Sequence, residues 1–278
     1  MGPLAYAAEY SPEDEPLLAA RANAAELGGT EPVHPAVGAT LRFLACAVGA
    51  RTAVEIGTGC GSSGIWLLRG MRPGSTLTSV DIEPEYQRMA RKAFTQAGFA
   101  PNQSRLILGR ALDVLPRLSD GAYDMVFCDA DVRDYPDYLT AALRLLRPGG
   151  IVAFNNALPT GTLRDDPDVF DGAIDLAHQV RGDDRLVPVL VPLGNGLLAA
   201  VKRGTRPGHP TTDFKASPSL AASSAVSSTT KRPPPSSGTR MTMPRPSLVT
   251  SSGPSPVRGF MAAILPSPSS RLGARRRC

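Results

Sequence analysis

Residues 54–64 read Val-Glu-Ile-Gly-Thr-Gly-Cys-Gly-Ser-Ser-Gly, directly behind a short apolar run. Glycines there let a ligand approach the backbone closely, and the helix that Ser62 opens has unpartnered N–H groups at its start. Taken literally, Gly59 to Gly64 matches the GxGxxG fingerprint of dinucleotide sites, which alone is a weak signal. Glu55 separates the ligands. Its carboxylate, two residues before Gly57, would repel a pyrophosphate but suits a ligand that carries positive charge. S-adenosylmethionine has that chemistry, with a sulfonium and an ammonium at one end and a ribose and adenine at the other. Asp81 ends the next apolar run, where a short acid can accept both ribose hydroxyl protons. It would do the same for NAD, so Asp81 indicates a nucleoside without choosing between the two.

These residues need a scaffold, and the hydrophobic pattern supplies one. Leu17–Leu27 and Val37–Val48, the second opened by Pro35, have helical spacing. From Ala53 strands and helices alternate. The strands are Ala53–Ile56, Thr76–Val80, Leu106–Leu108, Tyr123–Cys128 and Ile151–Phe154. The helices behind them are Ser62–Leu68, Pro84–Ala97, Ala111–Leu118, Tyr135–Leu146 and Val169–Arg181. Leu186–Val191 and Leu197–Val201 flank Asn195-Gly196, a pair that suits a tight hairpin. Repeated alternation with short connections predicts an α/β fold: a Rossmann-like, mostly parallel seven-stranded sheet with one antiparallel strand and helices on both faces.

Composition sets the boundaries. Residues 205–278 hold 12 of the 27 prolines and 15 serines, with eleven Lys or Arg against Asp213 alone. Such a stretch buries too little apolar surface to offset its ordering entropy, so it reads as a disordered basic tail. The expected organisation is an irregular N-terminus over 1–16, one domain over 17–204, and the tail. The basic character of the chain belongs to the tail, so the body is not expected to bind nucleic acid. Four cysteines without paired spacing indicate neither zinc nor a disulfide framework. With no leader segment and no long apolar run, the reading is a cytoplasmic protein that meets no membrane. His34 and His178 read as structural, Trp66 as core, and Tyr135 and Tyr138 as packing or substrate-wall residues.

The chain resembles the small-molecule O-methyltransferases of the class I fold, the group of catechol and caffeoyl-CoA O-methyltransferases, and looks most like their actinobacterial members. The residues that carry this are Glu55 to Ser63, Val80-Asp81-Ile82-Glu83-Pro84-Glu85, Tyr123 to Asp131, and Leu146-Arg147-Pro148-Gly149-Gly150, in order and at family-like spacing. The resemblance implies that Glu55, Gly57, Thr58 and Ser63 hold the methionine end of S-adenosylmethionine, and that Asp81 and Ile82 hold the ribose and adenine. By the same resemblance Val33 contacts the cofactor through its backbone, Ala111 contacts the adenine, and Asp131 lies near the cofactor amino group. It further implies a homodimer acting on a small-molecule hydroxyl, phenolic or catechol-like.

Methyl transfer from a sulfonium is an in-line displacement, so the protein mainly places an oxygen against the methyl carbon and excludes water. Asp129, at the end of the fourth strand, is the expected catalytic residue, touching cofactor and acceptor. Metal-dependent relatives bind Mg²⁺ there and carry Asp-Asn after the fifth strand, whereas this chain has Asn155-Asn156. Their lysine three residues after the first ligand is replaced by Val132. Two readings follow: Mg²⁺ bound weakly by Asp129, Asn155 and Asn156, or a metal-free site in which Asp129 orients the hydroxyl. The second is favoured. The competing functions are an NAD-dependent oxidoreductase and an inactive methyltransferase-like interaction module tethered by the tail.

Overall fold

The structure is a computed structural model and describes residue 6 and residues 10–158 and 167–204. The chain divides into two units, Met1–Thr212 and Asp213–Cys278, and every described residue lies in the first. The tail expected over 205–278 lies outside the described residues.

Seven strands form one sheet in the order β3-β2-β1-β4-β5-β7-β6. They are β1 (Thr52–Ile56), β2 (Thr76–Asp81), β3 (Ser104–Leu108), β4 (Tyr123–Cys128), β5 (Leu146–Phe154), β6 (Leu186–Val191) and β7 (Leu197–Lys202). The first five pair in parallel, and β7 runs antiparallel to both β5 and β6. One reversed strand in a mixed sheet is what the Asn-Gly hairpin predicts.

The central strands are buried on both faces, and alternate residues feed two separate cores. Ala53, Met125, Phe127, Ile151 and Ala153 face one. It is covered by α1 (Glu15–Leu27), α2 (Pro35–Ala47), α3 (Ser62–Gly70) and α4 (Pro84–Gln96). Val54, Ile56, Val126, Cys128, Val152 and Phe154 face the other. That side is covered by α6 (Tyr135–Leu145) and α7 (Pro167–Gly182), while the short α5 (Ala111–Val114) follows β3. Trp66 is 2% exposed and belongs to the first core. Tyr135 is fully buried in the second, and its hydroxyl donates to Asn155 O at 2.9 Å, tying the start of α6 to the end of β5.

Two local expectations shift. The helix expected over Ala111–Leu118 stops at Val114 and continues as a 3-10 turn over Leu115–Arg117, because Pro116 lacks the N–H a regular helix needs. Further 3-10 turns occupy Pro101–Gln103 and Val132–Asp134. The expected start of β5 at Ile151 moves back to Leu146. Its register jumps from Tyr123↔Leu146 to Met125↔Ile151, so the Arg147–Gly150 stretch is accommodated as an irregularity inside the strand.

Candidate functional site

β1 has β2 on one side and β4 on the other, so the chain changes direction across the sheet between β1 and β4. A parallel sheet opens a crevice at the carboxyl ends of its strands at such a point. A cavity of about 760 Å³ lies there. Its walls include Val33, Gly57, Thr58, Ser63, Asp81, Ile82, Ala111, Asp129, Asp131 and Asn156, ten of the twelve residues singled out from sequence. Glu55 and Asn155 are not on its surface.

The glycine loop is held from below. Gly57 N–H donates to Val80 O at 2.9 Å, and Asp129 N–H to Ile56 O at 2.8 Å. Thr58 N and Gly59 N both donate to Asp81 Oδ2, at 2.8 and 2.9 Å, and Glu83 N donates to Asp81 Oδ1 at 2.9 Å. Asp81 therefore fixes the loop after β1 as well as facing the cavity, a task its place at a strand end does not reveal.

Gly57 has φ 91°, and a Cβ there would lie 2.1 Å from Asp129 O. Only glycine allows the ends of β1 and β4 to approach this closely. Gly57→Ala is expected to cost about 3 kcal/mol, combining backbone strain with overpacking against main chain. A denaturant midpoint unchanged from the parent protein would refute this.

Glu55 lies under the loop. It is fully buried, Ser79 Oγ donates to its Oε2 at 2.5 Å, and Oε1 has no partner. Thr58 Oγ1 stands 2.7 Å from Ser79 Oγ, so a hydroxyl pair links the loop to the buried acid. Burial pushes the Glu55 carboxyl up to about 8, against the opposing hydrogen bonds of Ser79 and Ser63, with the charges of Asp129 and Asp81 adding to the rise. Ser79 was missed in the sequence; its only signal was a small polar residue inside the apolar run of β2.

Asp129 accepts from Asn155 Nδ2 at 2.9 Å, and Asn156 Nδ2 stands 3.5 Å from the same oxygen. Burial raises its carboxyl to about 6; the Asn155 hydrogen bond opposes the shift and the Glu31 charge reinforces it. Asp131 is engaged locally. It accepts from Arg133 N at 3.0 Å and pairs with the Arg133 guanidinium at 2.6 Å, which holds its carboxyl below the usual range. Val33 is 3% exposed, and its carbonyl accepts from Arg21 Nη2 at 2.9 Å. Ile82 is 60% exposed on the cavity rim. His34 caps α2, its Nδ1 accepting from Ala36 N at 3.3 Å, and His178 is exposed on α7 away from the cavity. Tyr138 lines the cavity with Glu31, Asp134 and Tyr86. The Tyr86 hydroxyl donates to Gly28 O at 2.8 Å, tying α4 to the segment after α1.

A model of the O-methyltransferase family matches residues 9–203. The chain belongs to the O-methyltransferase family. A Mycobacteroides abscessus protein provisionally named as an O-methyltransferase is 49% identical over 194 residues, covering 68% of this chain and 89% of its own. The O-methyltransferase TomG of Streptomyces achromogenes, involved in tomaymycin synthesis and solved with SAM, superposes with a TM-score of 0.65 at 31% identity, covering 72% of this chain and 95% of its own. An O-methyltransferase from Bacillus cereus in complex with SAH gives 0.64 at 28%, covering 72% and 96%.

In this O-methyltransferase the residues expected to hold Mg²⁺ present one carboxylate and two amide N–H groups. A hard divalent cation takes oxygen ligands. Asn155 and Asn156 instead turn their N–H groups toward the one carboxylate between them. Among the described residues no three His, Cys, Asp or Glu side chains are grouped to hold an ion, and no helix is long and apolar enough to cross a membrane.

Proposed function

We propose that the protein transfers the methyl group of S-adenosylmethionine to a hydroxyl of a small molecule, phenolic or catechol-like. One observation carries this reading: a glycine loop pinned by Asp81 closes over the buried Glu55, at the rim of a cavity that also holds Asp129. Gly57, Thr58 and Ser63 receive the methionine end, with Glu55 beneath them as the buried anionic partner of its cationic groups. Asp81 takes the ribose hydroxyls, while Ile82 and Ala111 border the adenine and Val33 closes the side toward α2. Asp131, already paired with Arg133, contributes an oxygen near the amino group. A pyrophosphate above Glu55 would gain no attraction from ionising it, whereas a cationic ligand would, which disfavours NAD.

The acceptor enters beside Asp129 and Asn156, where the Tyr138 ring offers a wall for a flat substrate. Asp129 accepts the hydrogen bond of the attacking hydroxyl and aligns its oxygen with the methyl carbon. The homodimer expected from the resemblance has an apolar face to use on the edge strand β6, where Val187 and Val189 are 46% and 53% exposed.

The test combines calorimetry with turnover of 3,4-dihydroxybenzoate. The parent protein is expected to bind S-adenosylhomocysteine and to turn over undiminished in chelator. Asp129→Ala should lose about 100-fold in turnover at saturating S-adenosylmethionine, the scale of a misplaced proton acceptor. Absence of S-adenosylhomocysteine binding by the folded parent would overturn the assignment.

A further inference from the structure

Asp129 stands at the end of a chain of amides that begins in the last hairpin. Asn195 lies in the turn between β6 and β7, and this turn is clamped to the segment after β5. Leu158 N donates to Asn195 O at 2.7 Å, and Ala157 N to Gly196 O at 3.0 Å. A Cβ on Gly196 would lie 2.6 Å from Leu158 N, so the two segments are in close contact. From this turn Asn195 Nδ2 donates to Asn156 Oδ1 at 3.3 Å. The other end of the Asn156 amide, Nδ2, points to Asp129 Oδ1 at 3.5 Å. Among the described residues Asn156 alone has a positive φ, 54°, without being glycine. A backbone held in that region is maintained by its surroundings, and here the side chain is engaged at both ends.

The direction of the chain has a chemical reason. An ionised carboxylate only accepts, so Asp129 selects the N–H face of Asn156 and leaves its carbonyl face toward the hairpin, where Asn195 meets it with Nδ2. The two contacts share one orientation. A cation shared by Asp129 and Asn156 needs the reverse, with the Asn156 carbonyl oxygen turned toward Asp129 and its N–H₂ toward residue 195. That reversal sets two N–H₂ groups against each other for as long as Asn195 presents its own.

We propose that Asn195 is a positioning residue that sets the direction of this amide chain, giving Asp129 the N–H of Asn156 in place of an oxygen ligand and turning the site away from divalent cations. The role of Asp129 toward the methyl acceptor rests on the function proposed above, but the cation behaviour does not. Asn195→Asp keeps the shape of the turn and replaces a donor by an acceptor. With an acceptor on either side, the Asn156 amide is free to turn its carbonyl oxygen beside Asp129 when a cation is supplied.

The test uses the full chain and Mn²⁺ alone, followed by electron paramagnetic resonance. Asn195→Asp is expected to bind Mn²⁺ at least tenfold more tightly than the parent, and Asn195→Ala to gain less than threefold. Adding Asn156→Ala to Asn195→Asp should remove the gain. Equal affinity in parent and Asn195→Asp overturns the proposal, as does a gain that survives Asn156→Ala, since the new carboxylate would then be binding the ion by itself. Should Asn195→Asp fail to fold, the side-chain amide signals of Asn156 in a ¹⁵N correlation spectrum decide. They must move in Asn195→Ala, and unmoved signals overturn the proposal. Calorimetry with S-adenosylhomocysteine on the same samples separates the two readings, because failure to bind it strikes the methyltransferase function and leaves the cation result standing.

Discussion

Asp81→Ala is expected to weaken S-adenosylhomocysteine binding by about 100-fold or more. The carboxylate has two tasks and alanine performs neither. Its Oδ2 holds the N–H groups of Thr58 and Gly59 at 2.8 and 2.9 Å, and its Oδ1 holds that of Glu83 at 2.9 Å. Hydrogen bonds to a charged group contribute about 1.5–3 kcal/mol each. Losing the pair on Oδ2 releases the loop, and a loss of about 3 kcal/mol in binding is already a factor of about 100. Asp81→Asn keeps one acceptor oxygen, and its affinity should fall between those of the parent and Asp81→Ala. Calorimetry on both variants, with thermal unfolding as the control for folding, measures this. An affinity in Asp81→Ala within a few-fold of the parent would show that the loop keeps its form without the carboxylate and that the ribose is bound elsewhere.

The second large effect concerns Glu55 and pH. Burial raises this carboxyl from the ordinary 4.5 to about 8, so at neutral pH the ligand-free protein holds it protonated. A cationic ligand above it favours the ionised form, and binding S-adenosylmethionine near pH 7 should therefore release a proton. Affinity should rise between pH 6 and 7.5, by up to about tenfold per unit. Stability of the ligand-free protein moves the other way. The folded form binds the proton more tightly than the unfolded form, so the group's contribution is fully present below pH 4.5 and is lost as pH rises toward 8. Glu55→Gln cannot ionise. It should flatten both slopes and weaken S-adenosylmethionine binding at pH 7.5 by about tenfold or more. Calorimetry in buffers of different ionisation enthalpy reads the proton directly; zero release by the parent at pH 7, or slopes unchanged in Glu55→Gln, would contradict the buried-acid account.

How much of the site was legible in the sequence depends on how far apart its partners lie. Gly57 and Asp81 were found because a glycine loop after one strand and an acid at the end of the next are local patterns. Asp131 is an exception, because its partner Arg133 is only two residues away, yet nothing in the spacing shows that the guanidinium turns back onto the carboxylate. The helix after Ala111 was overextended because its periodicity was read through Pro116, and β5 was shortened because Pro148, Gly149 and Gly150 read only as a stop. In both cases the fold accommodates backbone that a propensity pattern would terminate or prolong.

By itself, then, the order of residues determined the alternation of strands and helices, the reversed final hairpin, and the residues at the strand tips that could meet a nucleoside and a positive charge. These depend on periodicities and end signals within a few residues. Only the tertiary structure decided that Glu55 lies beneath the cavity, joined to Ser79 on the neighbouring β2, and that Asp81 serves the backbone of the loop. It alone joined Asn195 to Asn156, 39 positions apart. Such partnerships are set by strand register and by which turn folds over which strand end, and no spacing along the chain encodes them.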